Sequence, residues 1–347
     1  MVSETVLNFV MLAEIGLLVL AAAVYFAHGL WLFVTQKRTL REMTAARSSL
    51  TSLLTRGTIN VEEIDALRTI PRDVQVAAFL EISRSLTGAG KDRLRFVAHE
   101  VALLDRARKL CDSRLWTRRL RGARLLTRMD VADPIVEKLL TDPHPAVRAQ
   151  AAEWAAAHPS PTVIAAMLTM LADPATQARF AVQDALLRMG ATIADPLAAF
   201  LETHSGLPAE SGLRVAEALA EGRFLPAALR LSRSEDSGVR MAATNLLGAI
   251  GSEASSARLM ALLKDSDSRV RAAAAHGLGR MQHWASASQL AECLRDSTWR
   301  VRRDAALALR AIGAPGALFL RRALKGDDAF AADMAQQILD LPAAAAG

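Results

Sequence analysis

The sequence is poor in aromatic residues and in the residue runs that form β-strands. Phe, Trp and Tyr together make up 5% of its 347 residues, and there is a single tyrosine. Apolar residues make up 52% of the chain, and Ala and Leu, which both favour helices, supply most of them. Because runs rich in Val, Ile, Thr and Tyr are missing, the composition predicts an all-α fold.

Cysteine and paired histidines are also scarce, which argues against redox and metal chemistry. Cys111 and Cys293 lie far apart and show no CxxC spacing, so we expect two reduced thiols in a cytosolic domain. The seven histidines form no HxxxH or HExxH pair, and no GxSxG or Walker loop occurs. We therefore expect no metal, no cofactor and no catalytic activity.

An apolar segment near the N-terminus is long enough to cross a membrane. From Val6 to Val34 the only Asp, Glu, Lys, Arg or His residues are Glu14 and His28. The 21 residues Ile15–Thr35 would span about 30 Å as a helix, the thickness of a bilayer core. This segment predicts a single transmembrane anchor at residues 1–36. An uncleaved signal with a secreted body and a buried core helix are the alternatives.

Basic residues follow this segment and do not precede it: Lys37, Arg38, Arg41 and Arg47. A cleavable signal peptide needs the opposite order. The positive-inside rule then predicts a periplasmic N-terminus and a cytoplasmic body, at a bacterial inner membrane.

Three residues of this segment are candidates for packing within the membrane. Ala23 and Ala27 form a small-xxx-small pair, which allows close helix packing. Glu14 either sits at the outer interface or, in a deeper span, costs a few kcal/mol unless a partner satisfies it.

The body of the chain is a repeat in which an Asp precedes an Arg by six residues. The pairs are Asp142 and Arg148, Asp173 and Arg179, Asp265 and Arg271, and Asp296 and Arg302. The arginines at 240, 271 and 302 are 31 residues apart. Each unit has an Asp turn that opens an apolar-periodic helix, then a Gly in several copies, then a second helix. One such pair cannot bury its own apolar face, so the copies must stack.

This pattern resembles the HEAT repeat, in the short bacterial form also called the phycobilisome-lyase HEAT-like repeat. The resemblance implies an α-solenoid of seven or eight units, with the arginine-bearing helices on its convex face. It also implies that the recurrent Asp and Arg form a ladder between neighbouring repeats. The copies around Arg214 and Arg240 have Pro208 and Ser234 at the Asp position, which predicts a change of curvature in mid-array.

We place this solenoid at residues 111–342, between membrane-proximal irregular helices at 37–110 and a tail at 343–347. A membrane-proximal helix is expected to end at Gly57. The short glycine-containing stretch at residues 266–281 falls inside one repeat near a helix end, so it does not predict a phosphate loop.

Positive charge is concentrated just before and within the first repeat. Residues 91–128 contain 12 Lys or Arg and four Asp or Glu, against a net charge of +6 for the whole chain. By their spacing, Arg121, Arg124 and Arg128 share one face of a helix. Together with Arg114 and Arg118 they are the candidate docking residues, a set that we call the basic stripe. It is either a solvated face that fixes orientation, or a docking surface for anionic lipid or for an acidic face of a partner. Nucleic acid suits the charge but not the anchor or the few aromatic residues.

These features together predict a non-catalytic, membrane-anchored scaffold. It would bind and position or regulate a partner at the cytoplasmic face of the inner membrane. The partner expected is an integral membrane protein, and a membrane glycosyltransferase of polysaccharide synthesis or export is the specific hypothesis. The alternatives are a tetrapyrrole lyase or chaperone, which the resemblance suggests, and a client-free membrane organiser acting through lipids and self-association.

Overall fold

The computed structural model of the protein describes residues 4–56 and 61–342, and in this part of the chain it contains helices and turns but no strand. Two compact units divide the chain, Met1–Asp133 and Pro134–Gly347. The predicted tail and Gly57 lie outside the described residues. The first unit has six helices: α1 (Glu4–Thr55), α2 (Val61–Thr69), α3 (Arg72–Ile82), α4 (Ala89–Glu100), α5 (Leu103–Cys111) and α6 (Trp116–Met129). The helix that opens the predicted array, α6, therefore groups with the first unit.

The second unit alternates two sets of helices along the chain. The odd row consists of α7 (Pro134–Lys138), α9 (Pro161–Thr169), α11 (Ala194–Thr203), α13 (Leu225–Leu231), α15 (Glu253–Leu262), α17 (Ala287–Glu292) and α19 (Ala314–Ala323). The even row consists of α8 (Pro145–Ala155), α10 (Thr176–Met189), α12 (Gly206–Leu219), α14 (Ser237–Ile250), α16 (Ser268–Arg280), α18 (Trp299–Ala311) and α20 (Ala329–Leu339). The recurrent arginines lie on the even row. Single 3₁₀ turns lie between or extend these helices: Leu139–Thr141, Met170–Ala172, Gly190–Ile193, Gly222–Phe224, Trp284–Ser286 and Cys293–Arg295.

Helix α1 is one continuous helix of 52 residues, where we had expected an anchor followed by a separate helix. At helical rise it is about 78 Å long. Every side chain from Glu14 to Val34 is exposed, whereas Ala46 and Leu50 are fully buried in the first unit. No Gly or Pro interrupts the chain between these two parts, so nothing in the local sequence ends the helix.

Each even-row helix from α10 to α18 is followed by a residue in the left-handed backbone region. These residues are Gly190, Ala220, Gly251, Gln282 and Gly313, with φ between 50° and 83°. In four of these helices the left-handed residue comes 11 positions after the recurrent arginine. The same spacing counted back from Ala220 reaches Ala209, which is buried. The repeat position in α12 is therefore Ala209, and the copy that we had centred on Arg214 was set in the wrong register.

Neighbouring even-row helices approach each other at the backbone where small residues meet. A Cβ placed on Gly248 of α14 would lie 2.7 Å from the Cα of Gly277 in α16. A Cβ on Gly279 would lie 2.8 Å from the Cα of Ala308 in α18. Neighbouring odd-row helices make fewer contacts with each other. The even row is thus the inner row of the second unit, the reverse of the convex position that the resemblance implied.

Candidate functional site

Arg148, Arg240 and Arg271 each bind an aspartate of the following repeat. Arg148 donates from Nε and Nη2 to the carboxylate of Asp173, at 2.5 and 2.7 Å. Its Nη1 donates to the backbone carbonyl of Asp142, at the start of its own repeat. Two further pairs have the same geometry: Arg240 with Asp265, and Arg271 with Asp296. The pair at Arg240 forms although Ser234 occupies the Asp position of that copy, because the arginine needs only the aspartate ahead of it.

These pairs are structural parts of the array. Burial alone would raise the pKa of Asp173, but hydrogen bonds from Arg148 and from the backbone N–H of Ala175 outweigh burial and lower it. The carboxylates of Asp265 and Asp296 have lowered pKa values for the same combination of reasons. A charged carboxylate whose lone pairs are already taken up in this way is a poor candidate for acid–base chemistry.

The ladder is interrupted after Arg179 and after Arg302. His204 stands 25 residues after Arg179, at the position of the aspartate in other copies, and of the ladder bonds Arg179 keeps the one to the carbonyl of Asp173 in its own repeat. Arg302 keeps its Nη1 bond to the carbonyl of Asp296, but its buried Nε has no hydrogen-bond partner. Its guanidinium lies 5.1 Å from the ring centre of Phe330. A cation–π contact therefore replaces the carboxylate at the last repeat.

The five arginines of the predicted basic stripe are all exposed. Arg121 forms an ion pair with Asp73 of α3 at 3.2 Å. Arg118 and Arg121 line a cavity of about 230 Å³, which they share with Arg106 of α5. Arg114 precedes α6, and its backbone carbonyl accepts a hydrogen bond from Arg119.

The sequence pattern of α6 alone does not point to Arg106, which lies on α5. Arg106 also lines an adjoining cavity of about 350 Å³, together with Arg72 and Lys109. The available signal was the three-residue spacing of Arg106 and Lys109 in α5, a helix whose other face is buried. What joins α5 to α3 and α6 is tertiary packing, which this spacing does not reveal.

The candidate membrane-packing residues all lie on the exposed part of α1. Glu14, Ala23 and Ala27 contact none of the packed helices of the first unit, and α1 is long and apolar enough to span a membrane. The ring of Trp31 stacks on His28, with ring centres 6.0 Å apart.

A groove opens on the even row between α16, α18 and α20, and we call it the C-terminal groove. Its volume is about 650 Å³. Trp299, 55% exposed, lines it, with the guanidinium of Arg303 5.7 Å from the indole ring centre. Burial raises the pKa of Asp304, and nearby Arg300 and Arg303 offset part of that rise. Apolar side chains complete the lining, among them Leu307, Met334 and Ile338.

Both cysteines are buried and unreactive in character. Burial raises the pKa of Cys111 to about 12 and that of Cys293 to about 11, so both remain thiols near neutral pH. Within residues 4–56 and 61–342, no three His, Cys, Asp or Glu side chains are grouped as metal ligands would be.

The geometry of the second unit agrees with a match to a known family. A family model described as HEAT repeats matches residues 206–278 and 256–339. Residues 206–339 contain HEAT repeats. The matched ranges cover α12 to α20, where the ladder pairs Arg240–Asp265 and Arg271–Asp296 lie.

Three solved structures are similar to this HEAT-repeat chain in fold, at low sequence identity. An engineered protein is 17% identical, with 87% of this chain and 95% of that chain covered and a TM-score of 0.38. YibA from Escherichia coli is also 17% identical, over 70% and 97% of the two chains, with a TM-score of 0.43. Kap121p is 13% identical, over 87% of this chain and 43% of its own, with a TM-score of 0.48. No curated protein sequence matches significantly. HEAT repeats generally mediate protein–protein interaction, so the chain is a scaffold-type protein.

Proposed function

We propose that the protein is a non-catalytic scaffold, anchored in the bacterial inner membrane, that binds and positions or regulates a partner protein at the cytoplasmic face. The observation that carries the proposal is the continuity of α1. The same helix supplies an exposed apolar segment at Glu14–Val34 and the buried residues Ala46 and Leu50 of the first unit. An anchor built in this way would hold the first unit at the bilayer without a flexible linker.

The partner that we propose is an integral membrane protein. A HEAT array in an anchored chain is well placed to bind the cytoplasmic part of such a protein, and the exposed α1 can pack against its helices. A membrane glycosyltransferase of polysaccharide synthesis or export is the specific client that we propose within this class.

Affinity purification of the full chain in mild detergent, followed by mass spectrometry, tests the proposal. We expect one integral membrane protein in stoichiometric amount, and a glycosyltransferase if the specific hypothesis holds. A solubilised protein that runs alone as a monomer or homo-oligomer would favour a client-free organiser. Visible absorbance in the purified sample would instead support a tetrapyrrole-binding function.

The orientation has a separate test. The basic residues after the apolar segment support a cytoplasmic repeat domain. Two C-terminal fusions are therefore compared, one to a reporter that is active only in the cytoplasm and one to a reporter that is active only in the periplasm. We expect activity from the first fusion and none from the second. Activity restricted to the periplasm would overturn this orientation and, with it, the site of partner binding.

A further inference from the structure

The first unit carries a groove lined by five basic side chains from three helices. We call it the basic groove, and it consists of the adjoining cavities of about 230 and 350 Å³ that share Arg106. Its basic residues come from α3, α5 and α6: Arg72, Arg106, Lys109, Arg118 and Arg121. Because three separate helices supply these residues, the fold concentrates charge beyond what the α6 stripe alone would provide.

Two acidic side chains also line the groove, and both already have basic partners. Asp73 accepts a hydrogen bond from Arg121 at 3.2 Å. Asp105 accepts one from Arg108, which lies outside the groove, at 2.7 Å. In the described part of the chain the other four cations of the groove form no ion pair. The groove therefore presents an excess of positive charge in a concave setting, which favours a negatively charged occupant.

The position of the groove along α1 bears on whether lipid could fill it. Arg47 of α1 forms an ion pair with Glu81 near the C-terminal end of α3, at 2.6 Å. From Glu14 to Arg41 helix α1 is exposed except at half-buried Thr35, and it is fully buried at Leu50, so α3 packs along the later turns of α1. The N-terminal end of α3, where Arg72 lies, is therefore on the side of the unit away from the apolar segment.

With α1 along the bilayer normal, this level of the helix lies too far from the headgroups for lipid charge to act. The helix from Val34 to Leu50 is about 24 Å long at helical rise. Electrostatic attraction in physiological salt decays over about 8 Å, so the headgroups next to the segment would be screened. The lining also includes no aromatic side chain on which a nucleic-acid base could stack.

We propose that the basic groove binds an acidic peptide segment of a partner protein. This inference rests on the proposed function and deepens it, because it states the chemistry of the partner's contact. Arginines on neighbouring helices can each form charge-assisted hydrogen bonds with successive carboxylates of such a segment.

The test measures binding of a fluorescent poly-glutamate peptide to the full chain in detergent micelles. The groove variant is the double substitution Arg106→Glu with Lys109→Glu. Its matched control is Arg321→Glu on α19 with Lys325→Glu just after that helix, where the same charge change falls on exposed residues outside the groove. We expect wild-type binding that weakens with salt, a loss of about tenfold or more in the groove variant, and a change within about twofold in the control.

Equal losses in both variants, or no loss in the groove variant, would overturn the proposal. So would groove-dependent binding to phosphatidylglycerol vesicles with no binding to the peptide, since that would identify lipid as the occupant. Circular dichroism checks that the variants fold, and Arg118→Gln serves as a milder probe if the double variant does not. The peptide assay requires no copurified partner. If the peptide assay shows no groove-dependent binding but a partner is still recovered in mild detergent, the basic groove is rejected as the binding site and the scaffold function is retained.

Discussion

Arg271 uses three guanidinium nitrogens to join two repeats. Nε and Nη2 donate to Asp296 of the next repeat, while Nη1 donates to the backbone carbonyls of Asp265 and Ser266 in its own turn. The arginine thereby closes the turn before its own helix and fixes the position of the next one. Its side chain is only 16% exposed and that of Asp296 12%, so loss of either partner leaves a poorly hydrated charge behind.

Replacement of Arg271 by Ala should therefore lower the free energy of unfolding of the array by about 2–3 kcal/mol, because Asp296 loses its partner in a buried setting. The matched control is Arg269→Ala in the same helix, where the pair with Asp267 is largely exposed on the arginine side. That control should have a much smaller effect, because solvent screens the exposed guanidinium. Urea unfolding followed by circular dichroism measures both, and equal midpoints for the two variants would contradict the ladder's role.

Acid should weaken the array through the same carboxylates. Asp173, Asp265 and Asp296 have lowered pKa values in the folded chain, so their contribution to stability is present above their unfolded-state pKa. That contribution is lost as the pH falls from about 4, the unfolded value, through the lower folded value. Urea midpoints across this range should fall for the wild type and fall less for Asp296→Asn. A variant curve parallel to the wild type would show that the ladder does not titrate in this way.

The ladder residues were accessible from sequence, whereas the residues of the basic groove were only partly so. The regular 31-residue period brings Arg240 and Arg271 each to the Asp 25 residues ahead, so the Asp-x5-Arg pattern contains these contacts. The expected register was wrong in α12, where Arg214 is not the repeat arginine and instead pairs with Glu210 at 2.7 Å on an exposed surface. Arg72 and Arg106 could not be joined to the α6 stripe, because the packing of α3, α5 and α6 follows no repeat.

At the scale of the element, α1 combines two environments in one helix. Its first part is exposed and apolar, and its last part buries Ala46, Leu50 and Leu53 in the first unit. The sequence predicted both parts, but not their continuity, since the irregular helices were expected to start anew after the anchor. The absence of Gly and Pro between Gly29 and Gly57 is the signal that could have shown it.

Two truncations within α1 should have different consequences. A chain that starts at Thr35 loses the exposed apolar part only, so it should stay folded and leave the membrane fraction. A chain that starts at Thr55 also loses Leu50 and Leu53, each of which contributes about 1–3 kcal/mol by burial, and its first unit should unfold. Membrane fractionation and thermal unfolding followed by circular dichroism measure both. Membrane retention of the Thr35 chain would contradict the anchor.

At the scale of the whole molecule, the second unit presents its inner row as a surface that changes from repeat to repeat. The side chains that hold the repeats together recur, but those at the C-terminal groove do not. Trp299 aligns with Ser268 and Ser237 of the preceding even-row helices, and Arg303 aligns with Ala272 and Met241. An exposed indole beside an arginine is typical of a binding hot spot, and nothing in the ladder requires it.

Substitution of Trp299 by Ala should therefore reduce recovery of the wild-type chain's partner by about tenfold, because the groove loses an exposed aromatic anchor while the ladder pair Arg271–Asp296 is untouched. Thermal stability should stay close to that of the wild type, since most of the indole is already in solvent.

Trp284→Ala is the matched control: this tryptophan is even more exposed but lies outside the groove, and its loss should leave recovery unchanged. The measurement is the amount of the same membrane protein recovered per scaffold in mild detergent. Equal recovery for Trp299→Ala and Trp284→Ala would exclude the C-terminal groove from the contact and leave the basic groove and α1 as the remaining candidate surfaces.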